Sequence, residues 1–285
     1  MRALLFDPFL SYGFMRTALV ACVGLALANA PVSVLLLQRR MTLTASVLAH
    51  AVMPGAALGF LVAGYSLVAL CLGGFLAGLL VLALAAATVG SGDEGARLSV
   101  FYLLALAGGV LLVSLRGSNI DLMHVLFGTV LAVDLRGLVL IALIATVVLF
   151  TLAAIWRPLA VEGFDPAFLR AVGGGGPVFR HLFLGLVVLC LVAGFQAFGT
   201  LLSIGPMLLP AIAARRCAQD LRGQIGLALL FGVIAGIAGL LLSYHLNVPS
   251  GPAVVLAGGA IYGIALRATR RRPSIAADPL LQPAE

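Results

Sequence analysis

Residues 67–89 read LVALCLGGFLAGLLVLALAAATV. The stretch contains no charged side chain, and a helix rising about 1.5 Å per residue would carry it through the ~30 Å hydrocarbon core of a bilayer. In water such a helix would have no polar face to turn outward, so its natural solvent is lipid. Eight further apolar runs flank it: Phe14 to Leu37, Thr44 to Ala63, Leu98 to Leu115, Leu138 to Trp156, His181 to Phe195, Thr200 to Ala214, Ile225 to Tyr244 and Ala253 to Leu266. Polar or Gly/Pro-rich breaks separate them, and Gln196 with Gly199 marks a fold-back between the sixth and seventh. The expected architecture is an all-α, polytopic transmembrane helix bundle with eight or nine spans. Residues 1–268 would form the membrane domain, and 269–285, Arg-rich and then Pro-containing, a disordered cytoplasmic tail.

Composition agrees with this and narrows the chemistry. Of 285 residues, 62% are hydrophobic and 9% charged, against roughly 45–50% and about 25% in a soluble domain. All 17 basic residues are Arg. Without Lys the chain can form neither a G-x-x-x-x-G-K-S/T phosphate loop nor a Schiff base. Any ATP-driven step must therefore use an ATPase on another polypeptide. The net charge of +7 comes from Arg spread over short loops and the tail, which argues against a nucleic-acid partner. Cys22, Cys71, Cys190 and Cys217 occur singly, with no C-x-x-C pair, and read as small buried hydrophobes. The N-terminal stretch, with Asp7 and Pro8 before a long apolar run, lacks a cleavable signal pattern and is expected to stay.

Orientation follows from the arginines, which favour short cytoplasmic loops. Nine crossings with the C-terminus inside put Arg39/Arg40, Arg97, Arg157 to Arg180, Arg215/Arg216/Arg222 and the Arg267 to Arg272 cluster on the cytoplasmic side. Arg2, Arg16, Arg116 and Arg136 fall at the outer edge. Glycines at helical spacing, Gly55/Gly59, Gly74/Gly78, Gly232/Gly236 and Gly259/Gly263, read as faces where helix backbones approach closely in lipid. The run Gly173 to Gly176 reads as a flexible cytoplasmic linker.

An ionisable group within a span is costly and so marks function. His50 lies ten residues beyond Arg40, ~15 Å into the bilayer and near its midplane. Ser46 precedes it by one turn, and Pro54-Gly55 follows by one turn. Pro54 removes the helical donor for the carbonyl of residue 50, so a kink and a free oxygen are expected beside the imidazole. Imidazole, hydroxyl and carbonyl could together hold a borderline divalent cation in transit; a helix-packing histidine bonded to a neighbour is equally compatible with these residues. His245, in the turn Ser243-Tyr244-His245-Leu246-Asn247, could receive an ion at the mouth of a pathway or simply sit at an interface. His124 and His181 lie at helix ends and have weaker claims. The segment from Pro210 and Ala211 through Arg215, Arg216, Asp220 and Arg222 reads as a short helix with charge on one side, either a partner-docking element or a positive-inside anchor. An intramembrane hydrolase is disfavoured because neither H-E-x-x-H nor G-x-S-x-G occurs. An ion-coupled secondary transporter remains the alternative class, though it would place carboxylates within helices.

These stretches, taken in order, resemble the permeases of the ABC importers for zinc, manganese and iron, the family of the zinc-uptake permease. The resemblance is carried by Phe14-Met15-Arg16-Thr17-Ala18-Leu19, Leu37-Gln38-Arg39-Arg40-Met41 and Leu48-Ala49-His50-Ala51-Val52-Met53-Pro54-Gly55. It continues through Ile120-Asp121-Leu122-Met123-His124-Val125-Leu126-Phe127-Gly128, Phe164-Asp165-Pro166 with Arg170-Ala171-Val172-Gly173, and Gln196 to Arg215. It closes on Ser243 to Pro252, similar to S-Y-x-x-D-x-P-S-G-P. The resemblance implies a multi-pass protein of the bacterial cytoplasmic (inner) membrane, working as a homodimer with a second permease copy. It also implies a cytoplasmic ABC ATPase dimer docked on the Pro210 to Arg222 surface, and a periplasmic or extracellular metal-binding protein delivering zinc or manganese. No cofactor would be bound permanently, the metal being cargo. His50 would stand in the family's metal pathway. Two positions depart from the pattern: Ser46 stands where a carboxylate is common, and Asn247 where the closing motif has Asp.

Overall fold

The computed structural model describes residues 8–9, 11–64, 66–87, 94–114, 130–164, 176–199 and 202–270. Among them lie α1 (Gly13–Gln38), α2 (Thr42–Ala63), α3 (Leu67–Ala87), α4 (Glu94–Ser114), a 3-10 turn (Val130–Ala132), α5 (Leu135–Phe164), α6 (Gly176–Phe198), α7 (Ile204–Cys217), α8 (Leu221–Leu246) and α9 (Ser250–Arg270). The nine apolar runs thus become nine helices in the same order. Seven are long and apolar enough to cross a membrane. The apolar part of α4 is shorter, Ser99–Leu112. Helix α7 has 14 residues, so at about 21 Å it falls short of a full crossing. Helix α9 continues through Arg270, and the rest of the expected tail, 271–285, lies outside the described residues, as does the 120–128 block with His124.

The helices pack in two groups bridged by a pair. α2 packs on α3 and α4; α8 packs on α1, α7 and α9, and α7 packs on α1 and α9; α5 and α6 join them through contacts of α5 with α1 and of α6 with α1, α2 and α3. In lipid an apolar surface gains nothing by burial, so close approach of small residues decides these contacts. Helix α3 illustrates the rule, burying Cys71, Gly74 and Gly78 while Leu72, Leu76, Leu80 and Leu84 point outward. A methyl group added at Gly55 would collide with the carbonyl oxygen of Gly73, and one at Gly59 with that of Ala69. Gly64, at φ 64°, turns the chain from α2 into α3. Gly232 and Gly236 lie against Ala26 and Cys22 of α1. The close-packing expectation fails at Gly259 and Gly263, which have open space beside them in the single chain.

These contacts collect the arginines as the apolar runs foreshadow. Arg39 and Arg40 end α1, Arg180 begins α6, Arg215 and Arg216 end α7, and Arg222 begins α8, all at one end of the bundle, while Arg16 and Arg136 lie at the other.

Candidate metal pathway and docking corner

Arg40, at φ 57°, reverses the chain after α1, and Met41 N then donates to Leu36 O at 3.1 Å. Helix α2 therefore starts tight against the end of α1 and carries Ser46 and His50 inward. The Ser46 hydroxyl donates to Thr42 O at 3.2 Å. His50 Nδ1 lies 2.9 Å from the Ser46 carbonyl oxygen. A carbonyl only accepts, so Nδ1 is the donor in this contact, which leaves Nε2 as the nitrogen that can offer a lone pair to a ligand. This bond fixes ring orientation and tautomer as a backbone carbonyl does behind a metal-ligating histidine. The ring also packs on Tyr102 of α4, centroids 4.5 Å apart at 59°. One turn on, α4 comes so close that a methyl at Gly109 would meet Met53 and Pro54. Pro54 leaves the His50 carbonyl without its i+4 donor, yet α2 runs unbroken from Thr42 to Ala63. His50 itself is half-buried.

His245 occupies the exposed end of α8, edge-on to Tyr244 at 5.3 Å, and Tyr244 lies 5.9 Å from Tyr12 at the start of α1. Asn247 caps α8 in the left-handed region, φ 52°. The turn into α9 is held by the Ser243 hydroxyl donating to Val248 O at 2.6 Å and by Val130 N donating to Ser250 Oγ at 2.9 Å. His50 and His245 thus belong to different helix groups. Among the described residues no three His, Cys, Asp or Glu side chains cluster as a metal site.

The segment 210–222 proves to be a corner between two helices. Helix α7 ends at Cys217 and α8 begins at Leu221. Asp220 caps α8, its carboxylate accepting from Gly223 N at 2.8 Å, while the Gln224 side chain donates back to Ala218 O at 3.1 Å. Pro210 and Ala211, read as part of a docking face, are buried where α7 packs on α1 and α8. They support the corner from beneath, and Arg215, Arg216, Asp220 and Arg222 are what the single chain exposes. Arg215 also turns inward, donating from Nη1 to Leu37 O at 3.2 Å.

Two polar features escape a reading of the sequence. Arg39, there an orientation signal, pairs with Glu162 of α5 at 3.0 Å, with both side chains nearly withdrawn from solvent. Asn29, in mid-α1, is buried and lines a small cavity with Cys22, Phe198, Pro210 and Gly258. An acidic residue at the end of a long apolar run, facing an Arg-Arg pair across the same end, was the available signal for Glu162. Asn29 showed only as one amide inside an apolar run.

With this geometry in view, comparisons with known proteins bear on the chain as follows. Residues 11–268 match the ABC 3 transport family. The manganese transport system membrane protein MntC of Halalkalibacterium halodurans is 30% identical over 264 residues, 91% of this chain and 89% of that one. The manganese import system permease protein ScaB of Streptococcus parasanguinis is 28% identical over 256 residues, 90% and 91% of the two chains. Among solved structures, PsaBC from Streptococcus pneumoniae in complex with Fab superposes with a TM-score of 0.84 at 26% identity, covering 93% of this chain and 95% of that one.

Proposed function

The chain belongs to the ABC 3 transport family, as a permease subunit of its metal importers, and on that premise we propose that it carries manganese or zinc inward across a bacterial cytoplasmic membrane, powered by ATP hydrolysis on a separate subunit. It is a transport component rather than an enzyme, and the family sets aside the secondary-transporter alternative. Manganese stands in the names of both relatives, which favours it over zinc.

The observation that carries the reading is the state of His50. Its Nδ1–H is committed to the Ser46 carbonyl, so Nε2 can offer a lone pair to a first-row divalent cation. A partly exposed imidazole at mid-helix would be costly against lipid. We therefore assign the surface it faces to a polar pathway, completed by a second copy of the chain. The Ser46 hydroxyl keeps acceptor capacity one turn away. An imidazole and a hydroxyl, without a carboxylate beside them, bind a dication weakly, and weak binding suits an ion that must leave. At the outer end, His245 beside Tyr244 and Tyr12 would face a metal-binding protein that delivers the ion. At the inner end, the corner with Arg215, Arg216, Asp220 and Arg222 would seat an ABC ATPase dimer, whose P-loop supplies the lysine this chain lacks.

The test is metal uptake by vesicles containing the complete transporter. His50→Ala is expected to abolish uptake of manganese while the chain still co-purifies with its ATPase. Uptake at the unaltered rate would remove His50 from the pathway.

A further inference from the structure

We propose that Arg39 and Glu162 are a positioning pair for transport: they pin the elbow between α1 and α2 to the end of α5, and so fix the level at which α2 presents His50. The inference rests on the transport reading above.

An arginine serving orientation alone would stay hydrated among lipid headgroups. Arg39 does the opposite. Its Nη1 meets Glu162 Oε2 at 3.0 Å, and the two side chains are only 11% and 12% exposed. Its Nη2 donates to Leu159 O at 2.6 Å, and its guanidinium carbon lies 5.3 Å from the centroid of the buried Phe183 ring of α6. Leu159 and Glu162 are three residues apart on α5 and so share a face. A planar fork reaches both at once, which a lysine ammonium could not do with the same geometry.

The elbow has no slack to absorb movement. Arg39 N donates to Leu35 O at 3.0 Å, Arg40 N to Leu37 O at 3.2 Å and Met41 N to Leu36 O at 3.1 Å, after which α2 begins at Thr42. From Thr42, where α2 begins, to His50 the rise is ~12 Å of unbroken helix. On its other side the elbow is gripped by the docking corner, because Leu37 O also accepts from Arg215 Nη1 at 3.2 Å. A displacement of the corner therefore reaches the elbow through Arg215, and the Arg39–Glu162 pair is the fixed point against which that displacement acts on α2. This is a contiguous physical link between ATPase seat and ion pathway.

A pair that only helped the chain fold would change the amount of complex, leaving the metal carried per ATP hydrolysed unaltered. The experiment therefore measures that ratio in proteoliposomes holding the complete transporter, with manganese as probe. Glu162→Gln is expected to keep ATP hydrolysis near the unaltered rate while manganese carried per ATP falls on the order of tenfold. Arg39→Lys should fall between. Because Glu162→Gln leaves a cation without its partner and could lower yield, the double variant Arg39→Gln/Glu162→Gln, which removes both charges, is measured beside it. Recovered yield with a persistently low ratio supports the pair as a positioning device. A ratio equal to that of the unaltered complex in either variant overturns it. Absence of manganese flux in the unaltered complex would instead overturn the transport reading itself.

Discussion

Ser46 and His50 stand one turn apart on α2, and the pair lacks the negative charge that a carboxylate at position 46 would bring. At an effective dielectric constant of about 20, a carboxylate ~5 Å from a dication contributes several kcal/mol of attraction before desolvation. Ser46→Asp is therefore expected to lower the KM for manganese uptake by roughly tenfold or more, and to slow turnover because release becomes harder. Uptake of radiolabelled manganese over a range of concentrations measures both. An unchanged KM would mean that position 46 does not face the ion. The sequence displays His50 readily as a candidate, since an imidazole inside an apolar run stands out, although a packing role fits the same residues. It does not display Glu162, which lies 123 residues from Arg39 and reads locally as a loop charge. Nor does spacing reveal that His50 Nδ1 takes the Ser46 carbonyl, because that depends on the rotamer and on the Tyr102 ring beside it.

Element by element, the apolar runs transcribe directly into helices, because a span must satisfy its own backbone and bilayer thickness fixes its length. Which face meets which neighbour is harder to read. Gly55 and Gly259 sit in similar small-residue patterns, yet a methyl at the first would strike the backbone of α3 and one at the second would meet nothing among the described residues. Gly55→Leu should accordingly destabilise the α2–α3 pair by ~1–3 kcal/mol or more, lowering the melting temperature of the detergent-purified chain, whereas Gly259→Leu should leave that temperature unchanged. Equal effects would show that the α2–α3 contact does not limit stability. The corner between α7 and α8 is only partly legible for a related reason: Pro210 and Ala211 are buried where α7 meets α1 and α8, and burial by distant elements leaves no local mark. Arg216 is the better probe of docking, since Arg215 already serves Leu37 O. Arg216→Glu is expected to weaken co-purification of the ATPase by on the order of tenfold, through like-charge or lost complementary contacts at the seat, without changing the melting temperature of the permease alone. Full recovery of the ATPase would move the seat elsewhere.

Across the whole molecule the arginines make one end of the bundle basic, and this asymmetry sets the direction of every other assignment. The tight turn carrying Arg39 and Arg40, the charged end of α5 with Arg157 and Glu162, Arg180, and the corner with Arg215, Arg216 and Arg222 share that end. Tyr12, Tyr244 and His245 share the other. Since translocation retains short Arg-bearing loops on the cytoplasmic side, the basic end should face the cytoplasm, which would put the proposed ATPase seat inside and the proposed His245 mouth outside. Single cysteines can test this directly. Cys22, Cys71 and Cys190 are buried, and only Cys217 is partly exposed, so Cys217→Ser should give a background nearly silent to a membrane-impermeant maleimide. On that background Leu246→Cys, 61% exposed at the end of α8, is expected to react in intact cells from which any outer membrane has been removed. Arg216→Cys should react only after the remaining membrane is opened. The reverse pattern would invert the bundle, placing the basic corner outside where no ATP is available, and would overturn the assignment of that corner to an ATPase.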